Sequence, residues 1–438
     1  MRNVDAAELC SKLIQFDTTN YGEGRSNGER ECAEFIAGLL EEAGYSPLIL
    51  GPTPERASVV LRVPGGDRTL PGLLVHAHID VVPAEPEQWS FDPFSGEICN
   101  GYVYGRGASD MKDMVATTLA TLLIWARDGI VPKRDIVVAF VADEEDKGEY
   151  GALWLAAEHP GLFAGVTAGI GESGGTATPL KTIDGGSVRV YPVATGERGT
   201  LHMRLRATGT SGHGSRPTKD SAITHLLGAA YRINSYQWPL HLTPTVSAYI
   251  ARTCEAMGYN VDLSTEAGVD HAISLMGEAG DVARATIRCS ATTTVLRAGY
   301  KVNVIPGSAE AEVDVRCLPG TDETVLATID TLLGENVTRE FLSYQPAVQS
   351  PMDSPWFEAM SAALKRYDSE AVVVPVCMGG GTDAKAFSPL GIQCYGFAPL
   401  GIDPEGRTHA GVHGIDERIP VAAVNSGQVI LQDFLTNV

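Results

Sequence analysis

Five short segments of this chain set histidines and carboxylates in patterns that suit metal-assisted hydrolysis. The first is His78-Ile79-Asp80. Residues two apart on a strand share a face, so Asp80 can stand beside His78 and orient an imidazole that binds metal. Alone, the tripeptide also fits a capped strand end with a solvated histidine. The second, Gly105-Arg106-Gly107-Ala108-Ser109-Asp110-Met111-Lys112-Asp113, offers Asp110 where a helix is predicted to begin. In isolation Asp110 reads as a helix N-cap. The third, Asp143-Glu144-Glu145-Asp146, directly follows an apolar run at 136–142. Four carboxylates at the end of a buried strand are costly unless a cation compensates them. The fourth, Gly171-Glu172-Ser173-Gly174-Gly175, supplies Glu172 after the short apolar run 168–170. The fifth supplies His413, before Gly414-Ile415-Asp416-Glu417 at the predicted opening of the last helix; His409 competes with it as a ligand.

No one of these is specific, but the joint pattern is. Two histidines and three carboxylates suit a pair of zinc or similar divalent ions with one carboxylate bridging. Two adjacent glutamates allow one to bind metal while the other faces the attacking water.

For these side chains to meet, their segments must end at one edge of a sheet. The first half of the chain alternates helix-like and strand-like stretches: a helical pattern at 27–44, apolar runs at 58–63, 73–75 (leading into the polar end His76-Ala77-His78-Ile79-Asp80) and 136–142, and helical patterns at 113–128 and 149–158. Such alternation predicts an α/β fold, a sheet with helices on both faces, and ligands bind beyond the carboxyl ends of such strands. From Gly196-Glu197-Arg198-Gly199 the texture changes. Residues 201–207 and 311–316 alternate apolar with polar, as half-exposed antiparallel strands do, and a helix is predicted near 221–232. The expected organisation is a catalytic domain over 1–196 and 321–438, with an inserted α+β domain over 197–320.

Lys+Arg 33 against Asp+Glu 54 gives a net charge of -21, which repels a phosphate backbone and excludes nucleic acid as an expected partner. No stretch approaches the ~20 apolar residues that span a bilayer, and the first residues do not pair a basic segment with an apolar run. The eight cysteines form no Cys-x-x-Cys pair. They read as reduced thiols, so the expected compartment is the cytoplasm.

These segments, with Trp89-Ser90-Phe91-Asp92-Pro93-Phe94, Gly212-His213-Gly214-Ser215-Arg216-Pro217, Asn303-Val304-Ile305-Pro306 and Gly381-Thr382-Asp383, run in an order that resembles the zinc metallopeptidase family of acetylornithine deacetylase, succinyl-diaminopimelate desuccinylase, aminoacylase and carboxypeptidase G. The resemblance implies a mixed-sheet catalytic domain with an inserted lid that also forms a homodimer interface. It makes Asp110 the bridging carboxylate, with His78 and Glu172 completing one metal site and Glu145 and His413 the other. Asp80 would orient His78, Glu144 would be the general base, and His213 would help hold the oxyanion in the partner subunit's site. Asn303, Arg316 and Gly381 would contact substrate, with Arg316 as a clamp for a carboxylate. His413 is preferred over His409 because Asp416-Glu417 follow it as in the family.

The expected cofactors are two divalent ions, zinc first, with cobalt or manganese as substitutes. The expected reaction is hydrolysis of an amide in a small peptide or N-acyl amino acid, of exopeptidase, dipeptidase or carboxypeptidase type, with N-acyl-amino-acid deacylation as the alternative. A metal-binding but inactive relative would substitute Glu144 or a ligand, and none is substituted. Residues 251–290 match no recognised motif.

Overall fold

The structure, a computed structural model, describes residues 4–438. Leu48–Leu50 (β1), Ser58–Val63 (β2), Gly72–His78 (β3), Ile136–Val141 (β4), Val166–Gly171 (β5), Thr178–Lys181 (β6) and Ser187–Glu197 (β7) come first in the chain. Gly199–Thr208 (β8), Ser290–Ala298 (β9), Ser308–Cys317 (β10) and Val337–Gln345 (β11) follow, then Val372–Met378 (β12) and Gln393–Gly396 (β13).

The larger sheet has the order β6-β7-β13-β5-β3-β4-β2-β1, with β12 pairing parallel to β7. It is the mixed sheet expected. β3 is parallel to both β4 and β5, whereas β2 runs antiparallel to β4 and β1 to β2. β3 and β4 are buried at every position, which is why β4 and the first half of β3 read as continuous apolar runs, with His76 and His78 at the end of β3. Helices Ala6–Ile14, Lys112–Asp128 and Val421–Asn437 cover one face, and Ala152–Glu158 packs with Phe163 and Phe387 on the other. Because β3, β4 and β5 point the same way, their C-terminal ends deliver His78, the Asp143–Glu145 turn and Glu172 to one edge.

The second sheet, β9-β10-β8-β11, is antiparallel throughout and is backed by helices Ala222–Ser235 and Asp322–Leu333. In β8 and β10 apolar side chains alternate into this layer, as the sequence pattern predicts. Only Arg198 separates β7 from β8, so the chain passes between sheets without a loop.

Three expectations change. The second sheet does not finish by residue 320: its strand β11 lies at 337–345, and pairing with the larger sheet resumes at Val348–Gln349. β11 keeps little of the alternation that would reveal it, because most of its residues are exposed or half-exposed. The segment 251–290 runs through the end of helix Pro244–Ala256, helices Glu266–Leu275 and Ala279–Thr286 and their connecting loops to the start of β9. Those helices pack Val246, Tyr249, Ile250 and Ala283 against Val190, Val374 and Val376 of the larger sheet, not against the second one. The last helix starts at Val421, not near 416, because Arg418–Pro420 pairs as a strand with Tyr102–Tyr104 and Pro420 stands at the helix N-cap.

Among the described residues no helix is long and apolar enough to cross a membrane, and all eight cysteines are free thiols.

Candidate active site

His78 ends β3, fully buried. Its Nε2 lies 3.0 Å from Asp110 Oδ1, and its Nδ1 lies 3.0 Å from the backbone oxygen of Asp80. The orienting contact expected from the Asp80 carboxylate therefore comes from its carbonyl, with the nearer carboxylate oxygen at 3.7 Å. The Asp80 carboxylate has another task. It accepts from the backbone N–H groups of Glu144 (3.1 Å) and Glu145 (3.2 Å) and from Asn20 Nδ2 (2.9 Å). It thus fixes the turn that carries both glutamates.

Asp110 is no helix cap: the helix begins at Lys112, with Met111 at its N-cap and no side-chain cap bond. Asp110 instead turns one oxygen to each histidine, Oδ1 to His78 and Oδ2 to His413 Nε2, both at 3.0 Å. Glu145 Oε1 and Oε2 are each 3.2 Å from His413 Nε2. His78, Asp110 and Glu172 form one trio with donor atoms within 4.8 Å of one another, and Asp110, Glu145 and His413 form a second. The trios share Asp110. His409 is in neither and lines the wall of an adjoining cavity.

The electrostatics of the cluster call for a cation. Burial and the charge of Glu172 raise Glu144 well above the usual carboxylate range. Burial also raises Glu172, and His78 offsets this only in part. Buried Asp383, close by, is pushed up to about 8. Bonds to Asp110 and Glu145 raise His413 to about 10. Burial opposes the charged form of His78, but its bond to Asp110 and the charges of Glu144 and Glu172 raise it regardless. These groups hold protons where divalent ions would compensate the carboxylates directly, and nitrogen and oxygen donors of this kind suit zinc, cobalt or manganese. Backbone strain gathers here too: Asp143, Ser173, His413 and Asp416 all have positive φ, between 53° and 69°.

The sequence reading missed the groups that hold the ligands. Glu417, fully buried, accepts from the backbone N–H groups of Gly107 (3.1 Å), Ser109 (2.8 Å) and Asp110 (3.2 Å) and from Arg106 Nη1 (2.6 Å). Asp143 accepts from Asn20 Nδ2 (3.0 Å) and Arg56 Nη2 (2.7 Å), and Arg56 Nε reaches Glu29 (3.0 Å). Glu197 accepts from Thr382 N (3.0 Å) and Oγ1 (2.6 Å), which fixes the Gly381-Thr382-Asp383 turn. The motif residue Lys112 is structural, its Nζ donating to Phe16 O at 2.8 Å. Glu417 and Asp143 were visible as charges inside recognised motifs, but their partners lie too far along the chain for spacing to name.

A polar cavity of about 260 Å³ joins the two layers, lined by Glu144, Asp383 and Lys385 on one side and His202 and Arg316 on the other. Arg316 reaches this cavity with its Nε and Nη2 already on Asp314 (2.7 and 3.2 Å) and its Nη1 on Thr200 Oγ1 (2.8 Å). Gly381 lines it as well, where a Cβ would collide with the Lys385 ammonium. A larger cavity, about 480 Å³, opens on Asp110 and Glu172. His213 and Asn303 line neither. They are neighbours on the second layer, Gly214 N donating to Asn303 O at 2.9 Å, both exposed, with His213 Nδ1 2.8 Å from Ser215 Oγ. The structure therefore gathers the five ligand candidates with Asp80, Glu144, Arg316 and Gly381, and leaves His213 and Asn303 apart.

The sequence model described as "Peptidase family M20/M25/M40" matches residues 74–437. Human N-fatty-acyl-amino acid synthase/hydrolase PM20D1 is 28% identical over 444 residues, 98% of this chain and 87% of that protein. Aminoacylase-1 of Sus scrofa is 30% identical over 391 residues, 87% of this chain and 84% of its own length. Among solved structures, the M20 family metallo-carboxypeptidase Sso-CP2 from Sulfolobus solfataricus aligns with a TM-score of 0.72 at 17% identity, over 98% of both chains.

Proposed function

Since the chain belongs to peptidase family M20/M25/M40 and is a hydrolase of that family, we propose that it cuts the amide bond of a small peptide or N-acyl amino acid at the two trios sharing Asp110. That shared carboxylate is the observation that carries the reading. His78, Asp110 and Glu172 would hold one divalent ion and Asp110, Glu145 and His413 the other, with zinc the first choice. When bound, the ions polarise the amide carbonyl and bring the acidity of water toward neutrality. Glu144 takes a proton from the attacking water as its oxygen bonds to the carbonyl carbon. It passes that proton to the nitrogen as the C–N bond breaks, giving a carboxylate and a free amine. Asp80 holds Glu144 in place through the backbone, and Glu417 holds Asp110 the same way. In the polar cavity Lys385 and Arg316 offer positive charge to a substrate carboxylate, beside a Gly381 turn free of side chain. The apolar character of the larger cavity favours the deacylase form of this chemistry. The eight free thiols support a reducing compartment, the cytoplasm.

The test is metal analysis of the purified protein, with dipeptides and N-acyl amino acids assayed in added zinc, cobalt or manganese. The expected result is about two ions per chain and activity lost to a chelator. Metal-free protein whose activity survives a chelator overturns the reading.

His213 and Asn303, exposed on the second layer, suit a role in a neighbouring subunit's site, which requires a homodimer formed through that layer. His213→Ala is then expected to slow turnover about 100-fold or more with the metal content intact. Co-expression with Glu144→Gln should restore part of the rate, because one site of the mixed dimer keeps both residues. No recovery in a verified mixed dimer rules out the arrangement in trans.

A further inference from the structure

We infer that Lys147 reads a second carboxylate on the leaving amino acid, so that the amide nitrogen released here belongs to aspartate or glutamate. The inference rests on the amide-hydrolase reading above and names the amino-acid half of its substrate.

Lys147 stands in the same turn as Glu144 and Glu145, which Gly148 N closes on Asp143 O at 2.7 Å. That turn sets it on the wall of the polar cavity, where Arg316 and Lys385 are the other cations. The three differ in what they already hold. Arg316 is neutralised by Asp314, which it bonds through Nε and Nη2. Lys385 is buried, yet its ammonium, with three N–H groups to place, bonds only Thr200 Oγ1, at 3.2 Å. The same hydroxyl already accepts from Arg316 Nη1 at 2.8 Å. Lys147 is half-buried and has no ion pair or hydrogen bond among the described residues. Two cations of the cavity therefore lack a carboxylate.

The carboxyls lining the cavity do not supply one. Glu144 faces the reaction as its base, burial pushes Asp383 up to about 8, and Asp146 turns Oδ2 to Gly24 N at 3.3 Å. An ammonium withdrawn from water is costly until it is paired. A dicarboxylic amino acid meets both lysines: its α-carboxylate goes to Lys385 and Arg316, and its side-chain carboxylate to Lys147. The walls agree. Ser343 and Gln345, from β11, add side chains with no hydrogen bond of their own among the described residues, and the only apolar side chains there are Leu153 and Ala386. A leucine or phenylalanine side chain would find little apolar surface to bury against, whereas about 260 Å³ admits a short polar one. The chain as a whole, at -21, repels a dianion, so selection of one must come from cations placed at the site.

The test compares glutamate, its neutral isostere glutamine, and lysine, each as the N-acetyl and N-octanoyl derivative, with metal-loaded wild type, Lys147→Met, Lys147→Arg and Lys147→Glu. In the wild type kcat/KM for the glutamate substrate is expected to exceed that for glutamine by about 10-fold or more, mostly through KM. Lys147→Met should remove that ratio, Lys147→Arg should keep most of it, and Lys147→Glu should shift preference toward the lysine substrate. Calorimetric binding of free L-glutamate against L-glutamine gives a readout independent of hydrolysis, with the same order expected among the variants. Hydrolysis that does not distinguish glutamate from glutamine overturns the inference and leaves the hydrolase reading standing. A glutamate preference that Lys147→Met leaves intact also overturns it, because another group then reads the second carboxylate. Preferential binding of glutamate that Lys147→Met abolishes, in a protein that cuts no amide, upholds the carboxylate site and defeats the hydrolase reading.

Discussion

Glu144→Gln is expected to lower turnover by about 10²–10⁴-fold while the purified protein keeps both metal ions. The amide matches the carboxylate in size and takes the same place in the turn, whose N–H groups are held by Asp80 and not by the Glu144 side chain. What is lost is a group able to accept a proton. Glu145→Gln makes the complementary case. Its carboxylate stands 3.2 Å from His413 Nε2 and belongs to the trio with Asp110, so the expected loss is one ion, with activity falling as a result. Metal analysis beside kcat separates the two variants. If Glu144→Gln loses metal and Glu145→Gln keeps it at a depressed rate, the two roles are exchanged.

Arg56→Met should cost about 3–5 kcal/mol of folding stability, far more than removal of a surface ion pair. Arg56 is buried between Glu29 and Asp143, which are also buried, and its guanidinium bonds to both. Burial, and the charge of Asp80 beside it, already push Glu29 up to about 7 against the pull of Arg56. Without the guanidinium, two carboxyls remain in the interior with no cation to meet them. The effect reaches catalysis through Asp143, which also bonds Asn20, whose amide in turn holds Asp80. Denaturant unfolding at saturating metal measures the loss. A change below about 1 kcal/mol would show that the Glu29–Arg56–Asp143 chain does not support the site.

Three ligand candidates, His78, Glu145 and Glu172, were legible because each stands at or just past the end of a legible strand, whereas Asp110 and His413 were named by the motifs around them. The apolar residues 73–75 of β3 and the unbroken apolar run of β4 announce buried parallel strands, and His78 and Glu145 stand at or just past their ends. The supports were not legible. Glu417 bonds the loop carrying Asp110 from more than 300 residues away, and Arg56 meets Asp143 across 87 residues. Pairing of that kind depends on the fold and leaves no local pattern. Asp80 illustrates the limit in one residue: its spacing from His78 correctly put the two side by side, yet the carbonyl makes the contact and the carboxylate turns to the glutamates. The helices over 244–286 were unreadable for another reason. Their apolar stripes cover one face of β7 and β12, and nothing in the stripes says which sheet they will meet.

Glu417 and His413 also set when the site can come into being. A chain made from its N-terminus has His78, Asp110, Glu145 and Glu172 available early, but the whole second sheet is synthesised before His413 and Glu417 emerge. Until they dock, Asp110 lacks one of its two histidines, and the N–H groups of Gly107, Ser109 and Asp110 lack the carboxylate that pairs them. Contacts this distant in sequence close large loops and form late. On the proposed reading the nascent protein would be hydrolytically silent on the ribosome, and capture of an ion at Asp110, Glu145 and His413 would be coupled to the arrival of the final segment. Cleavage of the chain before His413 would yield a fragment with most of the ligands and no working centre.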